Sequence, residues 1–294
     1  MLNSIFKDEK MKTILVTGSH GQLGSEIQKI SDHFSVFQYI YTDIEELDIT
    51  DKKALEDFVI KNKAHFLVNC AAYTNVDKAE EEVDLCYKIN AEAVKNIGEV
   101  AAEQHLKVVH ISTDYVFDGK NFKPYVEEDL PSPVSVYGKS KLAGEEALLK
   151  NCQQAMIIRT SWLYSSFGNN FVKKMLSLGK ERQELNVVFD QIGTPTYAAD
   201  LARTILIILQ QQSFQPGIYH FSNEGVCSWY DFAKAIFRIK NMECSIQPIE
   251  SKEFPTKAQR PFYSVLNKAK IKNTFNLCIP HWEESLEKCL SLLP

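Results

Sequence analysis

A strand signal that runs directly into a glycine-rich turn constrains this chain more than any other feature. The apolar, β-branched run at 13–18 (TILVTG) is typical of a buried parallel strand, and a helical pattern follows at 22–30. Between them, VTGSHGQLGSEI places glycines three residues apart, at Gly18, Gly21 and Gly24. Such a turn lets the backbone approach a pyrophosphate at a helix N-terminus, where free N–H groups favour negative charge. The segment predicts a dinucleotide site, with a turn needed only for packing as the alternative.

Strand-like and helix-like segments alternate along the first half of the chain. Alternation of this kind is typical of a parallel sheet with right-handed crossovers and helices on both faces. The sequence therefore predicts an α/β fold, a Rossmann-type doubly wound parallel sheet. Strands are expected at 13–18, 36–43, 65–72, 107–113 and 155–162, and helices at 22–30, 55–62, 90–105 and 139–150. We expect Asn90 to cap the helix at 90–105.

The pattern loosens after about residue 160, which suggests a second structural unit. Helices are still expected at 198–210 and 228–239, but the regular alternation with strands is lost. We expect residues 11–160 to form an NAD(P)-binding domain. Residues 161–294 should form mainly a smaller C-terminal substrate-binding lobe, with some segments returning to the first domain. Residues 1–10 are expected to be a flexible extension.

The bulk composition excludes several classes of protein. The 294 residues carry a formal net charge of −5, so we expect no nucleic-acid partner, which would require a basic surface. The longest apolar run, at 204–209, is too short to span a bilayer, and the charged N-terminus does not resemble a signal peptide. We therefore expect no membrane partner. Seven cysteines without a C-x-x-C pair lack zinc spacing and indicate reduced thiols in a cytoplasmic protein.

An acidic residue stands where a dinucleotide site needs one. Asp43 follows the second predicted strand, 19 residues beyond Gly24 (43 − 24), near the expected spacing of about 20 for a carboxylate that bonds the adenosine ribose. A carboxylate there would repel a 2′-phosphate, which favours NAD over NADP. Asp48 could instead lie under the adenine. For both, an ordinary solvated loop carboxylate is the alternative.

Tyr137 and Lys141 form a Tyr-x-x-x-Lys pattern that places both side chains on one face of a helix, one turn apart. Alone, this pattern is common by chance. Thr113, however, ends a predicted parallel strand, and ligands of such sheets bind beyond the carboxyl ends of the strands. The three residues together predict a catalytic site.

Five further segments accompany these features: NCAAYTNVDKAE (69–80), STDYVFDG (112–119), YGKSKLAGE (137–145), RTSWLY (159–164) and RPFYSVL (260–266). With the glycine spacing, they resemble the extended short-chain dehydrogenase/reductase family and, within it, the dTDP-4-dehydrorhamnose reductases. The resemblance runs from about Met11 to the end of the chain.

The resemblance implies that hydride from NADPH or NADH reduces the C4 ketone of dTDP-4-dehydro-L-rhamnose. Tyr137 would give a proton to the developing alkoxide, Lys141 would lower the pKa of Tyr137 and bond the nicotinamide ribose, and Thr113 would bond the substrate oxygen. Implied cofactor contacts are Gly18, His20, Gly21, Gln22, Leu23, Gly24, Asp43, Asp48, Ile49, Ala71, Ala72, Tyr73, Thr74, Tyr137 and Lys141. Implied substrate contacts are Thr113, Asp114, Tyr115, Trp162 and Arg260, with a core aromatic as the alternative for Tyr115 and Trp162.

Two departures from related enzymes refine this hypothesis. Sugar 4,6-dehydratases carry a glutamate where this chain has Tyr115, so reduction fits better than elimination. Some reductases of the family are dimers bridged by Mg²⁺ through glutamates, and Glu26 matches one such position. The segment at 193–202 has alanines where another glutamate would be expected. We therefore expect no metal site, and we expect Glu26 to be a solvated residue in the first turn of its helix.

Two alternatives stay open at this point. The chain could be a non-catalytic NADP-binding regulatory subunit like the β subunit of methionine adenosyltransferase, although the intact tyrosine and lysine argue against this. It could also be an epimerase or a reductase for another nucleotide sugar. The expected partner is a dTDP-sugar, and the expected state is a monomer or a homodimer.

Overall fold

The computed structural model describes residues 11–294, so the predicted extension at 1–10 lies outside the described residues. A central sheet of six parallel strands organises this part of the chain, and three two-stranded pairs lie in its C-terminal part. The strands are β1 (Lys12–Thr17), β2 (Phe37–Thr42), β3 (Phe66–Asn69), β4 (Lys107–Thr113), β5 (Ala155–Thr160), β6 (Leu163–Tyr164), β7 (Glu184–Val188), β8 (Ile192–Gly193), β9 (Thr196–Tyr197), β10 (Gly217–His220), β11 (Cys227–Ser228) and β12 (Ser245–Ile249).

Helices connect these strands and cover both faces of the main sheet. They are α1 (Gln22–Ile30), α2 (Lys52–Asn62), α3 (Val76–Ala79), α4 (Val83–Tyr87), α5 (Ala93–Glu103), α6 (Val136–Asn151), α7 (Phe171–Glu181), α8 (Ala198–Gln210), α9 (Trp229–Ile239), α10 (Ala269–Phe275) and α11 (Trp282–Ser291). Among the residues that the structure covers, none of these helices has both the length and the apolar composition needed to cross a bilayer.

The strand order of the main sheet is β10-β5-β4-β3-β1-β2. Strand β2 pairs with one side of β1 and β3 with the other, and β4, β5 and β10 follow β3 in that order. All five pairings are parallel. The predicted doubly wound α/β fold is confirmed. Its topological switch point lies between β1 and β3, where the crevice beyond the carboxyl ends of the strands is the usual ligand site.

The C-terminal part of the chain contributes to two cores. Strand β10 extends the main sheet beyond β5, and α8 packs on the same face of that sheet as α1. A separate apolar core forms between α7, α9 and α11, the helices of the C-terminal lobe. Strand β10 and helix α8, both beyond residue 160, therefore pack with the main sheet, while the division into an NAD(P)-binding domain and a lobe stays a prediction. That the lobe binds substrate stays a prediction.

The expected helix cap at Asn90 is wrong. Residues Lys88–Glu92 form a π-helical turn that joins α4 to α5, so Asn90 lies inside a longer helical stretch. Its side chain leaves the helix and bonds the backbone of Tyr73, with the amide nitrogen donating to the carbonyl at 3.0 Å and the amide oxygen accepting from the N–H at 2.9 Å. A widened turn of this kind is frequent at functional sites. Asn90 therefore fixes a loop rather than starting a helix.

A buried ion pair joins α6 to the main sheet. Arg159, on β5, donates to Glu145, on α6, with Nη2 at 2.7 Å from Oε2, and both side chains are 2% exposed. The hydroxyl of Ser112, on β4, also donates to Glu145, and the guanidinium of Arg159 lies 5.2 Å from the ring centre of Phe117. Because every partner is buried, the geometry of the pair fixes the position of α6 over β4 and β5.

Replacing Glu145→Ala should lower the free energy of unfolding by about 3–5 kcal/mol, because it leaves the Arg159 guanidinium buried without a counter-charge. Urea denaturation followed by circular dichroism measures the loss. Lys53→Ala is the matched control, since it breaks the solvent-exposed ion pair between Lys53 and Asp57 and should leave the midpoint nearly unchanged. Equal effects of the two substitutions would contradict the importance of the buried pair.

Candidate active site

A large cavity of about 860 Å³ opens at the carboxyl ends of β1, β3 and β4. It extends from the glycine turn at one end to the C-terminal lobe at the other, so one compartment spans most of the predicted site. The predicted residues that line it are Gly18, His20, Gly21, Gln22, Leu23, Asp43, Asp48, Ile49, Ala71, Ala72, Thr74, Thr113, Asp114, Tyr115, Tyr137, Lys141 and Trp162. Gly24, Tyr73 and Arg260 are the predicted residues outside its wall.

The glycine turn is too closely packed to accept side chains. Gly18 has φ +66°, and a Cβ atom on it would lie 2.5 Å from the backbone nitrogen of Ala71. A Cβ on Gly24 would lie 2.5 Å from the carbonyl oxygen of Gly18. Gly24 therefore allows α1 to pack closely against the turn, and it does not line the cavity. Gly21 precedes α1 without a side-chain cap. The first N–H groups of α1 therefore have no side-chain cap, and Gln22 and Leu23 line the cavity, so this helix start can take an anion.

Asp43 is held in one orientation at the end of β2. Its Oδ2 accepts a hydrogen bond from the backbone N–H of His20 at 2.9 Å, and its Oδ1 accepts from the N–H of Ile44 at 2.9 Å. Asp48 accepts from the N–H of Thr50 at 2.8 Å. Both carboxylates thus organise loops while lining the cavity. A fixed carboxylate at the end of β2 is well placed to accept hydrogen bonds from a ribose diol.

Helix α6 brings Tyr137 to the carboxyl end of β4. The hydroxyl of Ser135 caps α6 by accepting from the N–H of Gly138 at 3.1 Å, so Tyr137 occupies the first turn. Burial raises the pKa of Tyr137 above its ordinary value, and the nearby hydroxyl of Thr113 opposes that rise. The expected lowering of this pKa by Lys141 is not found. The reason is geometric, because the Lys141 ammonium is turned toward β4.

The Lys141 side chain is 2% exposed and packs against β4 near the carboxyl end of that strand. Its Nζ donates to the carbonyl oxygen of Ile111 at 2.7 Å and lies 3.4 Å from Nε2 of His110. Burial lowers the pKa of Lys141 to about 8, with Glu145 opposing that change. Lys141 is therefore a lysine that can change its charge near neutral pH.

Two residues after β4 complete the wall opposite Tyr137. Asp114 accepts from the hydroxyl of Thr113 at 3.0 Å, and burial raises the pKa of its carboxyl to about 6. The Tyr115 ring meets the Tyr137 ring edge to face, with centres 5.5 Å apart and planes at 76°. The structure thus places Thr113, Asp114, Tyr115 and Tyr137 together.

The side chains of Tyr73 and Arg260 do not line the cavity. The Tyr73 hydroxyl donates to Glu82 at 2.6 Å, so its side chain turns away from the cavity. Arg260 pairs with Asp77 at 2.8 Å, while its Nη1 donates to the Tyr115 hydroxyl at 3.3 Å. Arg260 therefore reaches the cavity only through Tyr115 in this structure.

Trp162 has the strained backbone that often marks a functional position. Its φ of +48° is rare for a large side chain. The indole stacks on Trp229, with centres 3.6 Å apart and planes at 8°. A Cβ on Gly193 would lie 2.6 Å from the Trp162 ring. A glycine on β8 and a stacked partner on α9 thus hold Trp162 in the cavity wall.

Several residues of the site carried no signal in the sequence. Asn170, after the turn that contains Gly168, donates to Oε1 of Gln22 at 2.9 Å and so joins the C-terminal lobe to the glycine turn. The π-helical turn adds Lys88 and Ile89 to the wall. Tyr-x-x-x-Lys spacing is local, whereas these contacts join residues far apart in sequence, so only the folded chain reveals them.

The expectation that Glu26 is solvated is wrong. Glu26 is fully buried, and its Oε1 accepts from the Ser165 hydroxyl at 2.6 Å. The physical reason is that the loop after β6 covers this face of α1. Burial raises the pKa of Glu26. Within residues 11–294, no three His, Cys, Asp or Glu side chains cluster in a way that could hold a metal ion.

Comparisons with known proteins agree with this geometry. The chain matches the family model described as RmlD substrate binding domain over residues 11–293. It is 39% identical over 287 residues to a dTDP-4-dehydrorhamnose reductase of Aggregatibacter actinomycetemcomitans, covering 94% of this chain and 98% of that protein.

Two solved structures are similar over nearly the whole chain. A dTDP-4-dehydrorhamnose reductase from Clostridium acetobutylicum superposes with a TM-score of 0.92 at 44% identity, covering 96% of this chain and 99% of that one. A dTDP-4-dehydrorhamnose reductase from Bacillus anthracis in complex with NADP superposes with a TM-score of 0.92 at 41% identity, covering 95% and 99%. The chain therefore belongs to the dTDP-4-dehydrorhamnose reductase family, that of the RmlD substrate binding domain.

Proposed function

We propose that this chain reduces the C4 ketone of dTDP-4-dehydro-L-rhamnose with NADPH or NADH and so forms dTDP-L-rhamnose. The observation that carries the proposal is the common cavity of the glycine turn, Thr113, Tyr137 and Lys141. Family membership supports the same activity.

The residues around the turn fit a dinucleotide. The N–H groups at the start of α1 would bond the pyrophosphate, and Asp43 would bond the adenosine ribose. The packed glycines Gly18 and Gly24 keep the backbone free of side chains there. When bound, the nicotinamide supplies the hydride for the ketone carbon.

Tyr137 would supply the proton. Because burial raises its pKa, the hydroxyl stays protonated at neutral pH and can be given to the alkoxide oxygen. Thr113 lies next to it and would hold the same oxygen. Lys141, one turn along α6 and bonded to β4 in this structure, would bond the nicotinamide ribose.

Family membership favours this activity over the regulatory-subunit alternative. We also infer a cytoplasmic location, because all seven cysteines are free thiols and such thiols persist in a reducing compartment. A monomer or a homodimer stays the expected state, with a dTDP-sugar as the partner.

Tyr137→Phe should lower kcat at least 100-fold, because proton transfer by a positioned side chain contributes about 10²–10⁴ in rate. Substrate-dependent oxidation of NADH and NADPH at 340 nm measures this, with dTDP-4-dehydrorhamnose generated in situ. Tyr87→Phe, outside the cavity wall, is the control and should keep full activity. Wild-type protein that binds a cofactor but oxidises neither would refute the reductase proposal. If the protein reduces only the 4-keto sugar that precedes epimerisation, it is a reductase for a different nucleotide sugar.

The fixed carboxylate of Asp43 predicts a preference for NADH. Asp43→Asn should raise kcat/KM for NADPH relative to NADH by roughly tenfold, because it removes the charge that repels a 2′-phosphate. Steady-state kinetics with each cofactor measures the ratio, and Glu45→Gln is the matched control, because Glu45 lies on the same loop, is exposed and does not line the cavity. An unchanged ratio in Asp43→Asn would place the determinant of cofactor choice elsewhere.

Burial of the Asp114 carboxyl should give this one group a destabilising contribution at neutral pH that is absent at low pH. Its folded pKa of about 6 exceeds the ordinary value of about 3.9, so its contribution to stability is present below pH 4 and is lost as pH rises through 6. Asp114→Asn should therefore raise the free energy of unfolding by about 3 kcal/mol at pH 7.5, with no gain at pH 4, while lowering activity. Asp57→Asn, on the surface, controls for general charge effects. A loss of stability in Asp114→Asn at pH 7.5 would contradict the assignment.

A further inference from the structure

A buried polar chain leads from the end of β1 to Lys141, and its other three members have no role in the proposed chemistry. It runs through Thr17 at the end of β1, Asn69 at the end of β3, His110 on β4 and Lys141 on α6. All four side chains are at most 2% exposed. Polar groups buried this deeply are expected to be hydrogen-bonded with defined donors and acceptors, so the direction of each bond can be worked out.

The orientation of the Asn69 amide is fixed by its neighbours. Its Oδ1 accepts from the backbone N–H of Ala71 at 3.2 Å and from the Thr17 hydroxyl at 2.7 Å. A backbone N–H can only donate, so this end of the amide must be the oxygen. The other end is the NH₂ group, and it lies 2.9 Å from Nδ1 of His110.

The Asn69 amide in turn fixes the tautomer of His110. Because the NH₂ group donates to Nδ1, that nitrogen must carry a lone pair. Burial lowers the pKa of His110 well below its ordinary value, so the ring is neutral and its single proton is on Nε2. The Nε2–H group faces Nζ of Lys141 at 3.4 Å.

An ammonium has three donors and no lone pair, whereas a neutral amine can accept a hydrogen bond. Two donors therefore face each other while Lys141 is charged. Release of one proton from Lys141 to solvent relieves this conflict, because the amine then accepts from His110 and still donates to the carbonyl of Ile111.

The other ionisable groups near Lys141 do not disfavour its charged form. Glu145 favours the charged lysine, but its carboxylate is engaged by Arg159. Cys70, after β3, and Cys86, on α4, are neutral thiols because burial raises the pKa of each, that of Cys70 to about 12. Tyr137, one turn before Lys141 on α6, keeps its proton at neutral pH because burial raises its pKa.

We infer that Asn69 and His110 are positioning residues that act through Lys141: the fixed Nε2–H group of His110 disfavours the charged lysine, so that Lys141 exchanges a proton near neutral pH. For turnover, the inference rests on the proposed function. The protonation of Lys141 itself can be measured without any substrate.

The test is an NMR titration of Lys141 in full-length protein labelled with ¹³C at the lysine Cε, assigned with Lys141→Arg. His110→Leu removes the opposing N–H and should move the Lys141 midpoint upward by about one pH unit. The alkaline limb of the pH profile of kcat should move in the same direction. His220→Leu is the matched control, because it removes another buried imidazole of the main sheet, one that bonds Tyr125 rather than Lys141.

Asn69→Ala gives a second, independent test if His110→Leu fails to fold. Without the amide donor, the proton of His110 can move to Nδ1, and Nε2 can accept from the ammonium, so the Lys141 midpoint should again rise. An unchanged midpoint in these variants, or an equal shift in His220→Leu, would overturn the inference. If the midpoint shifts but no keto sugar is reduced, the inference about Lys141 stands and the proposed function fails.

Discussion

The ion pair between Arg159 and Glu145 is the contact on which the arrangement of the site depends. It holds α6, which carries Tyr137 and Lys141, against β4, which carries Thr113. Two charges removed from water need hydrogen bonds as well as each other; Ser112 adds a donor to the carboxylate, while Nη1 of Arg159 has no hydrogen-bond partner. A loss of register between α6 and β4 would therefore leave a buried charge unpaired, which restricts the helix to one position.

The rest of the site follows from how closely α6 can approach its neighbours. A Cβ on Gly138 would lie 2.2 Å from the carbonyl oxygen of Tyr115, and a Cβ on Gly144 would lie 2.1 Å from that of Asn90. Most buried residues of α6 are glycines or polar residues, and Leu148 is the one large apolar side chain among them. Close approach brings the polar groups of three elements into hydrogen-bonding distance. The residues proposed as catalytic and the groups that orient them are thus held by the same packing.

The sequence predicted those parts of the site that depend on local spacing. The glycine turn, Asp43 after β2 and the Tyr137–Lys141 pair each depend on residues close together in the chain or on the alternation of strands and helices. Asn90 and Glu26 were predicted wrongly because distant residues decide their surroundings: Ser140 bonds Asn90 from 50 positions away, and Ser165 bonds Glu26 from 139. The direction of the Lys141 side chain likewise depends on β4. Periodicity carries no information on such contacts.

Strand β10 ties the C-terminal part of the chain to the main sheet, so the two units cannot be separated cleanly. It lies at the edge of the main sheet and pairs with β5 along Gly217–His220, while most of the lobe precedes or follows it in sequence. Removing the C-terminal part would uncover β5, and an uncovered strand edge promotes aggregation. The lobe is therefore not a detachable module. Variation of this lobe therefore has to leave β10 in place, because exchange of the whole lobe would also remove the edge strand of the main sheet.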